Sequence, residues 1–185
     1  MDERELIRQM KSGDRASFDQ IYEKYYVPLF RSAYLICGNR EDAEDVLQDT
    51  FVTCWLCIGQ LRKEENFRCW IFQIMTQTAR KRAKERSSQL PDEDIVNRID
   101  QIAASHRMEA ADEYERTADK ALIEAVLSAL DQASREVIVL YYYEEMSVKE
   151  VAKTLGILEG TVKSRLYFAR RKLKKLIQEG GRREK

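Results

Sequence analysis

Apolar residues recur along most of the chain at steps of three and four positions, the spacing that places them on one face of an α-helix. Pro28 lies inside the first of these stripes and must either bend that helix or split it. Two polar stretches that contain glycine, Ser12–Asp14 and Gly38–Asn39, predict where helices end. The first three stripes therefore predict helices over residues 18–36, 43–61 and 67–78.

The pattern thins between Arg86 and about Arg116, where the chain becomes polar and acidic and is interrupted by Pro91. Such a composition is typical of a linker. Apolar periodicity resumes at Ala118. We therefore predict an all-α protein in which two small helical domains, residues 1–86 and 117–185, are joined by a flexible acidic linker over residues 87–116.

Residues 147–168 carry the pattern of a helix-turn-helix. Ser147 and Glu150 have the spacing of a capping box, in which each side chain satisfies a backbone N–H group at the start of a helix. Gly156 lies where the chain must turn and a positive φ is favoured. A second helix is predicted to begin near Glu159. Because the second helix of this motif enters the major groove, the C-terminal domain is expected to bind DNA.

Charge is segregated along the chain, although the 185 residues contain 32 basic and 32 acidic side chains. Residues 67–86 hold 6 basic residues against 1 acidic residue, residues 161–185 hold 10 against 2, and residues 87–127 hold 4 against 10. Two separate cationic segments indicate two polyanion-binding elements. The charged start, and the lack of an apolar run of about 18 residues, predict a cytoplasmic protein with no membrane span.

The four cysteines are better interpreted as core residues than as a metal or redox site. Cys54 and Cys57 have the spacing of half a zinc site or of a redox pair, but only Cys37, Cys69 and the distant His106 could complete a metal site. A redox pair would need a preceding strand, whereas this pair lies in a helical pattern. We predict no metal, no cofactor and no catalytic residue, and interpret the cysteines as core residues of a protein in a reducing compartment. A thiol or metal redox enzyme is an alternative.

Three polar surfaces accompany the apolar stripes. One face of the last helix carries cations and short polar side chains, which suit phosphates and base edges. The second stripe carries acidic residues opposite its core face; these suit a protein partner because acids repel nucleic acid, with an ordinary solvated face as the alternative. Along the third stripe, and in the loop before it, glutamines and cations beside aromatic rings suit unpaired bases.

The same three segments, in this order, resemble the extracytoplasmic-function sigma factors, compact bacterial RNA polymerase subunits that keep sigma regions two and four. Residues 42–51 (DAEDVLQDTF) resemble the region-two helix that docks on the clamp helices of the largest polymerase subunit. Residues 67–74 (FRCWIFQI) resemble the −10 recognition and melting segment. Residues 160–166 (GTVKSRL) resemble the −35 reading helix. The resemblance covers nearly the whole chain.

The resemblance, together with the polar faces, assigns candidate residues to each surface. A docking stripe would bind core polymerase: Asp42, Asp45, Gln48 and Asp49. A strand face would hold a flipped −10 base and the separated non-template strand: Arg62, Lys63, Asn66, Phe67, Gln73, Gln77, Arg80 and Lys81. A duplex face would lie in the −35 major groove: Gly160, Thr161, Lys163, Ser164, Arg165, Tyr167, Arg170 and Arg171.

The function implied is promoter recognition and the start of transcription, in response to stress and under the control of an anti-sigma factor. The implied partners are core RNA polymerase, through its clamp helices and the flap of its second-largest subunit, and promoter DNA. A stand-alone helix-turn-helix regulator, with an N-terminal half that dimerises or senses a ligand, is the alternative.

Overall fold

The computed structural model describes residues 2–88 and 126–180, and within those ranges the chain forms helices and no strand. The all-α prediction is therefore confirmed. Residues 126–128 are also helical, and the α-helices with defined bounds are, in chain order, Glu3–Lys11 (α1), Arg15–Cys37 (α2), Arg40–Cys57 (α3), Phe67–Ser88 (α4), Gln132–Ile138 (α5), Val148–Leu155 (α6) and Glu159–Gly180 (α7). Short 3-10 turns at Ile58–Gln60 and Glu64–Asn66 join α3 to α4, and a π turn, Val139–Tyr143, continues α5.

The ends of the N-terminal helices follow their local sequence. Asp14 caps α2, because its carboxylate accepts a hydrogen bond of 2.9 Å from the Ser17 backbone N–H. Gly38 ends that helix with a φ of 78°, a conformation that favours glycine. Asn39 then caps α3 through a 2.9 Å bond from the backbone N–H of Asp42. Helix α2 runs through Pro28 as one element, so the proline does not split it.

Helices α2, α3 and α4 pack on one another around an apolar core, and α1 packs against α2. The side chains of Ile21, Val46 and Phe72 are fully buried there. Cys54 and Cys69 are also buried, as the interpretation of the cysteines as core residues predicts, whereas Cys37 and Cys57 are half-buried. These stripes orient the helices, so the polar residues between them are left on defined outer faces.

The predicted helix-turn-helix is present. Ser147 and Glu150 form the reciprocal capping box at the start of α6. Gly156 ends α6 with a φ of 66°, and α7 begins three residues later at Glu159. Val162 and Leu166 on the buried face of α7 contribute to the hydrophobic core that also includes α6. This packing leaves the opposite side of α7 exposed.

The N-terminal and C-terminal helices also pack on each other. Helix α4 lies against α6, and α2 lies against α5 and the π turn. The guanidinium of Arg135 in α5 donates to the carbonyl oxygen of Ile36, at 2.9 Å, near the end of α2. The described structure is therefore a closed arrangement in which α2 and α4 support the C-terminal helices.

Most of the predicted linker, and the start of the apolar periodicity that resumes at Ala118, lie outside the described residues. Helix α4 continues to Ser88, two residues beyond the predicted end of the first domain. The domain limits stay a prediction. Within the described residues, no helix is both long enough and apolar enough to span a membrane.

Candidate nucleic-acid interface

Most of the duplex face is open. Gly160, Lys163, Ser164 and Arg171 are exposed, and Tyr167 keeps 60% of its surface accessible. Their spacing places these residues on the side of α7 opposite its buried stripe. Cations at that side can neutralise phosphates, while the short hydroxyl side chain can reach base edges. Thr161 is half-buried in the first turn of the same helix.

Arg170 is held by aromatic residues of the π turn. Its Nε donates a 2.6 Å hydrogen bond to the hydroxyl of Tyr142, and its guanidinium lies over the rings of Tyr141 and Tyr142. A tethered guanidinium loses less freedom when it binds a phosphate. The sequence did not indicate this support, because the two elements are distant in sequence.

Arg165 lies apart from the exposed members of the duplex face, on the same side of α7 as the half-buried Thr161 one turn earlier. At about 100° per residue, its side chain is roughly 200° around α7 from that of Lys163. It is half-buried. The pKa of Asp131 is lowered mainly by a hydrogen bond from Ser134 and to a smaller extent by the charge of Arg165, which places that charge near the start of α5. A contact between Arg165 and DNA stays a prediction.

The strand face is only partly accessible. Arg62, Lys63, Gln77 and Lys81 are exposed, and Gln73 is half-buried. Phe67 lies below this surface: its ring is fully buried and its centroid is 5.3 Å from that of Tyr25. The prediction that Phe67 contacts a flipped base does not fit this structure, because the ring is part of the core that supports the loop.

Arg80, another member of the strand face, is bound by the C-terminal helices. Its Nε lies 2.9 and 3.1 Å from the two carboxylate oxygens of Glu136, and its Nη2 lies 2.5 Å from one of them. These hydrogen bonds raise the pKa of Arg80. Asn66 is likewise contacted by the ammonium of Lys153. Two predicted DNA contacts are therefore occupied by protein groups.

A second ionic contact joins the same helices. Glu144 is buried at the end of the π turn, where its carboxylate accepts a 2.7 Å hydrogen bond from Ser32. Arg68 of α4 lies 3.4 Å from that carboxylate and also donates to the Glu144 carbonyl. Sequence reasoning missed both glutamates; the apolar run VIVL (residues 137–140), which directly follows Glu136, was the signal that this carboxylate is buried.

The docking stripe lies along one side of α3. Gln48 and Asp49 are exposed, and Asp42 and Asp45 are half-buried. The Asp42 carboxylate accepts a 2.7 Å hydrogen bond from the Asn39 side chain. Arg82 of α4 pairs with the other two carboxylates, so the charge of the stripe is partly neutralised within the molecule.

An apolar groove adjoins the stripe between α2 and α3. It has a volume of about 710 Å³, and Gln48 of the stripe lines one side of it. Aromatic and aliphatic side chains form most of its walls, among them Phe18, Tyr22, Phe51, Trp55 and Leu56. Leu56 keeps 74% of its surface accessible, so an apolar surface is available next to the acidic residues.

Of the cysteine pair, Cys54 is buried and Cys57 is half-buried. Burial is the main cause that raises the pKa of the Cys54 thiol to about 12, and the charge of Cys57 contributes. Such a thiol is protonated at neutral pH and is a poor nucleophile. Among the described residues, no group of three or more potential ligands is arranged to hold a metal ion.

The N-terminal and C-terminal halves of the chain match the family models of two regions of Sigma-70. The family described as Sigma-70 region 2 matches residues 21–89, and Sigma-70, region 4 matches residues 120–173. The ECF RNA polymerase sigma factor SigL of Mycobacterium tuberculosis is 32% identical over 176 residues, which cover 92% of this chain and 94% of that protein.

Solved structures have the same fold. CnrH, in complex with the cytosolic domain of CnrY, superposes with a TM-score of 0.71 at 28% identity, with 96% of this chain and 97% of that chain covered. The sigma factor RpoE from Bartonella quintana, in complex with the anti-sigma factor NepR, superposes with a TM-score of 0.66 at 20% identity, with 87% and 96% covered.

Proposed function

Because the chain belongs to the extracytoplasmic-function sigma factors of the sigma-70 family, we propose that it binds core RNA polymerase and directs it to specific promoters. Three surfaces share this work. The docking stripe binds polymerase, the strand face binds the melted −10 region, and the duplex face binds the −35 element. Polymerase supplies the chemistry, so this subunit is not an enzyme.

The docking stripe would contact a basic surface on the clamp helices of the polymerase. Asp45, Gln48 and Asp49 provide charge and hydrogen-bond acceptors at the right spacing for a helical partner. The adjoining groove offers apolar area, which most stable interfaces need at their centre. Charge and apolar surface side by side therefore support docking better than an ordinary solvated face.

The strand face would stabilise open promoter DNA by binding it after melting. Gln77 and Lys81 are exposed on α4, where an amide can bond a base and a cation can bind a phosphate. Extruding a base costs a few kcal/mol, which these contacts would offset. Melting would then result from tighter binding to separated strands than to duplex DNA.

The duplex face would recognise the −35 element. Lys163 and Arg171 neutralise phosphates, and each phosphate contact contributes a salt-dependent slope of about 0.9 to the binding constant. Ser164 and Tyr167, which are exposed, would meet base edges.

Regulation and location follow from the family. An anti-sigma factor is expected to hold the protein inactive until stress. The solved structure of the sigma factor RpoE contains the anti-sigma factor NepR. A protein that works with polymerase would act in the cytoplasm. The stand-alone regulator is not favoured, because the N-terminal half matches sigma region 2. The redox enzyme is not favoured either, because Cys54 is buried with a raised pKa.

The observation that supports this function best is the presence of both sigma regions in one chain with an exposed face on α7. A gel-shift assay tests it against the alternative. A sigma factor should shift promoter DNA only with core polymerase, whereas a stand-alone regulator should shift the same duplex alone. A specific shift by the chain without polymerase would overturn the proposal.

A further inference from the structure

The Arg80 guanidinium, which the proposed function expects to bind DNA, is bound by the carboxylate of Glu136 in this structure. The guanidinium meets the carboxylate with three hydrogen bonds of 2.5 to 3.1 Å. Carboxylate and phosphate present similar acceptor geometry to the planar guanidinium fork. A single Arg80 side chain cannot hold both partners in this way at once, so the two contacts are mutually exclusive.

Among the described residues, Arg80 makes the main contacts with the Glu136 carboxylate. Glu136 is fully buried in α5, beside the buried Val137 and Ile138. Besides Arg80, its carboxylate is contacted by the side-chain amide of Gln132 at 3.4 Å. A buried carboxylate requires a partner, so separation of α4 from α5 must either expose Glu136 to water or leave its charge unpaired.

Neighbouring contacts hold the same closed arrangement. Lys153 of α6 contacts Asn66, which precedes α4. Arg68 contacts Glu144, which also binds Ser32 of α2. The C-terminal helices therefore engage both ends of the strand face. Asn66 and Arg80 could give these same hydrogen-bonding groups to a DNA strand only after the contacts with Lys153 and Glu136 break.

We infer that Glu136 is an internal competitor of promoter DNA, which binds Arg80 in place of a strand phosphate and keeps the strand face closed. This inference rests on the proposed role of α4. Strand binding is then linked to separation of the N-terminal and C-terminal helices. The apparent affinity of the free chain for single-stranded DNA equals the affinity of the open form multiplied by the fraction of molecules that are open. Loss of the carboxylate should raise that affinity.

The test compares the full chain with Glu136→Gln, which keeps the shape of the side chain and removes its charge. Glu145→Gln is the matched control, because Glu145 is exposed on the neighbouring turn and the net charge changes equally. The probe is a fluorescein-labelled oligothymidylate, since the contact at issue is to phosphate. Fluorescence anisotropy gives the dissociation constant, and small-angle X-ray scattering without DNA gives the radius of gyration.

We expect Glu136→Gln to increase the radius of gyration and to bind the oligothymidylate about tenfold more tightly, as removal of a largely closed state requires. The control should match the parent chain in both measurements. Arg80→Gln removes the same contact. Because Arg80 is half-exposed, this variant is expected to fold even if the substitution of the buried Glu136 prevents folding. It should also open the chain, but without tighter DNA binding, because the cation is gone.

Two results would overturn the inference. In one, Glu136→Gln and Arg80→Gln leave the radius of gyration as it is in the control, which means that the pair does not hold the domains closed. In the other, both variants open but Glu136→Gln binds DNA no more tightly, which means that Glu136 does not compete with phosphate. Neither result would contradict the proposed function, because the polymerase-dependent gel shift tests that function separately.

Discussion

Arg82 of α4 forms a 3.0 Å ion pair with Asp45 of α3, and its Nη2 also lies 3.9 Å from a carboxylate oxygen of Asp49. The pair joins the helix proposed to bind the −10 strand to the helix proposed to dock on polymerase. All three side chains are more than a third exposed, so the pair adds little to stability. Its main effect is to lower the negative charge that the docking stripe presents.

Arg82→Gln should therefore make the docking stripe more attractive to a basic partner. We expect association with core polymerase to become severalfold faster at low salt, because charges at the rim of an interface act mainly on the association rate. The gain should shrink as salt screens the stripe. Stopped-flow fluorescence without DNA measures the rate.

Lys81→Gln is the control for that experiment, since it removes an equal charge one residue earlier, where the ammonium points toward Glu85 at 3.9 Å. Equal acceleration by both variants would mean that net charge alone is responsible. No acceleration by Arg82→Gln would show that its pairing with Asp45 does not limit docking.

The docking stripe itself is tested by Asp45→Asn with Asp49→Asn. These changes keep the side-chain shape and avoid placing new cations against Arg82, which lysine substitutions would do. We expect binding to core polymerase to weaken by at least tenfold. This corresponds to a loss of about 1.4 kcal/mol of binding free energy from the two interfacial charges together. Surface plasmon resonance measures the affinity.

Glu23→Gln with Glu145→Gln is the charge-matched control for the docking variant, because both side chains are exposed away from α3, Glu23 on α2 and Glu145 in the loop before α6. It should bind polymerase like the parent chain. Undiminished binding by the docking variant would remove the stripe from the interface.

The duplex face is tested by Lys163→Ala with Ser164→Ala. We expect weaker transcription from a promoter with an intact −35 element, and a salt slope smaller by about 0.9 because one phosphate contact is lost. Lys172→Ala is the matched control, since this exposed lysine lies about 180° around α7 from Lys163. An equal loss on a promoter without the −35 element would argue against base reading by α7.

The capping box should contribute measurably to stability. Ser147→Ala removes the acceptor of the 3.3 Å bond from the Glu150 backbone N–H, and we expect the free energy of unfolding to fall by about 1 kcal/mol. Urea unfolding followed by circular dichroism measures the change. Ser12→Ala is the control, because that hydroxyl donates to the Gln9 carbonyl at the end of α1 instead of capping a helix start.

The same capping box predicts a pH dependence. The hydrogen bond from Ser147 is the main cause that lowers the pKa of Glu150 below its ordinary value of 4.5. The stabilisation is therefore complete above pH 4.5 and is lost as the pH falls through the lowered value. The difference in the free energy of unfolding between the parent chain and Ser147→Ala should become smaller in acid. A difference that stays constant with pH would contradict this assignment.

The local structure was predictable from sequence because it depends on neighbours in the chain. The apolar stripes set the buried faces of α2, α3 and α4, and the spacing of Ser147 and Glu150 gave the start of α6. Gly156 marked the turn for the same reason: its φ of 66° disfavours a side chain. The exposed positions of Lys163 and Tyr167 then followed from helical periodicity.

The contacts between the N-terminal and C-terminal helices were not predictable in this way. Arg80 and Glu136 are 56 positions apart, and nothing in the local pattern of either residue selects the other. The burial of Phe67 was missed for a related reason. Its aromatic ring suits both a base and a core, and only the packing of α2 against α4 decides between them.

The most direct measurement for the central claim is run-off transcription with core RNA polymerase and promoter fragments from the genome that encodes this chain. The account predicts transcripts with defined start sites when the chain is added, and their loss with Asp45→Asn and Asp49→Asn together. Core polymerase that gives no site-selective RNA with the chain, while a known sigma factor activates the same preparation, would contradict the account.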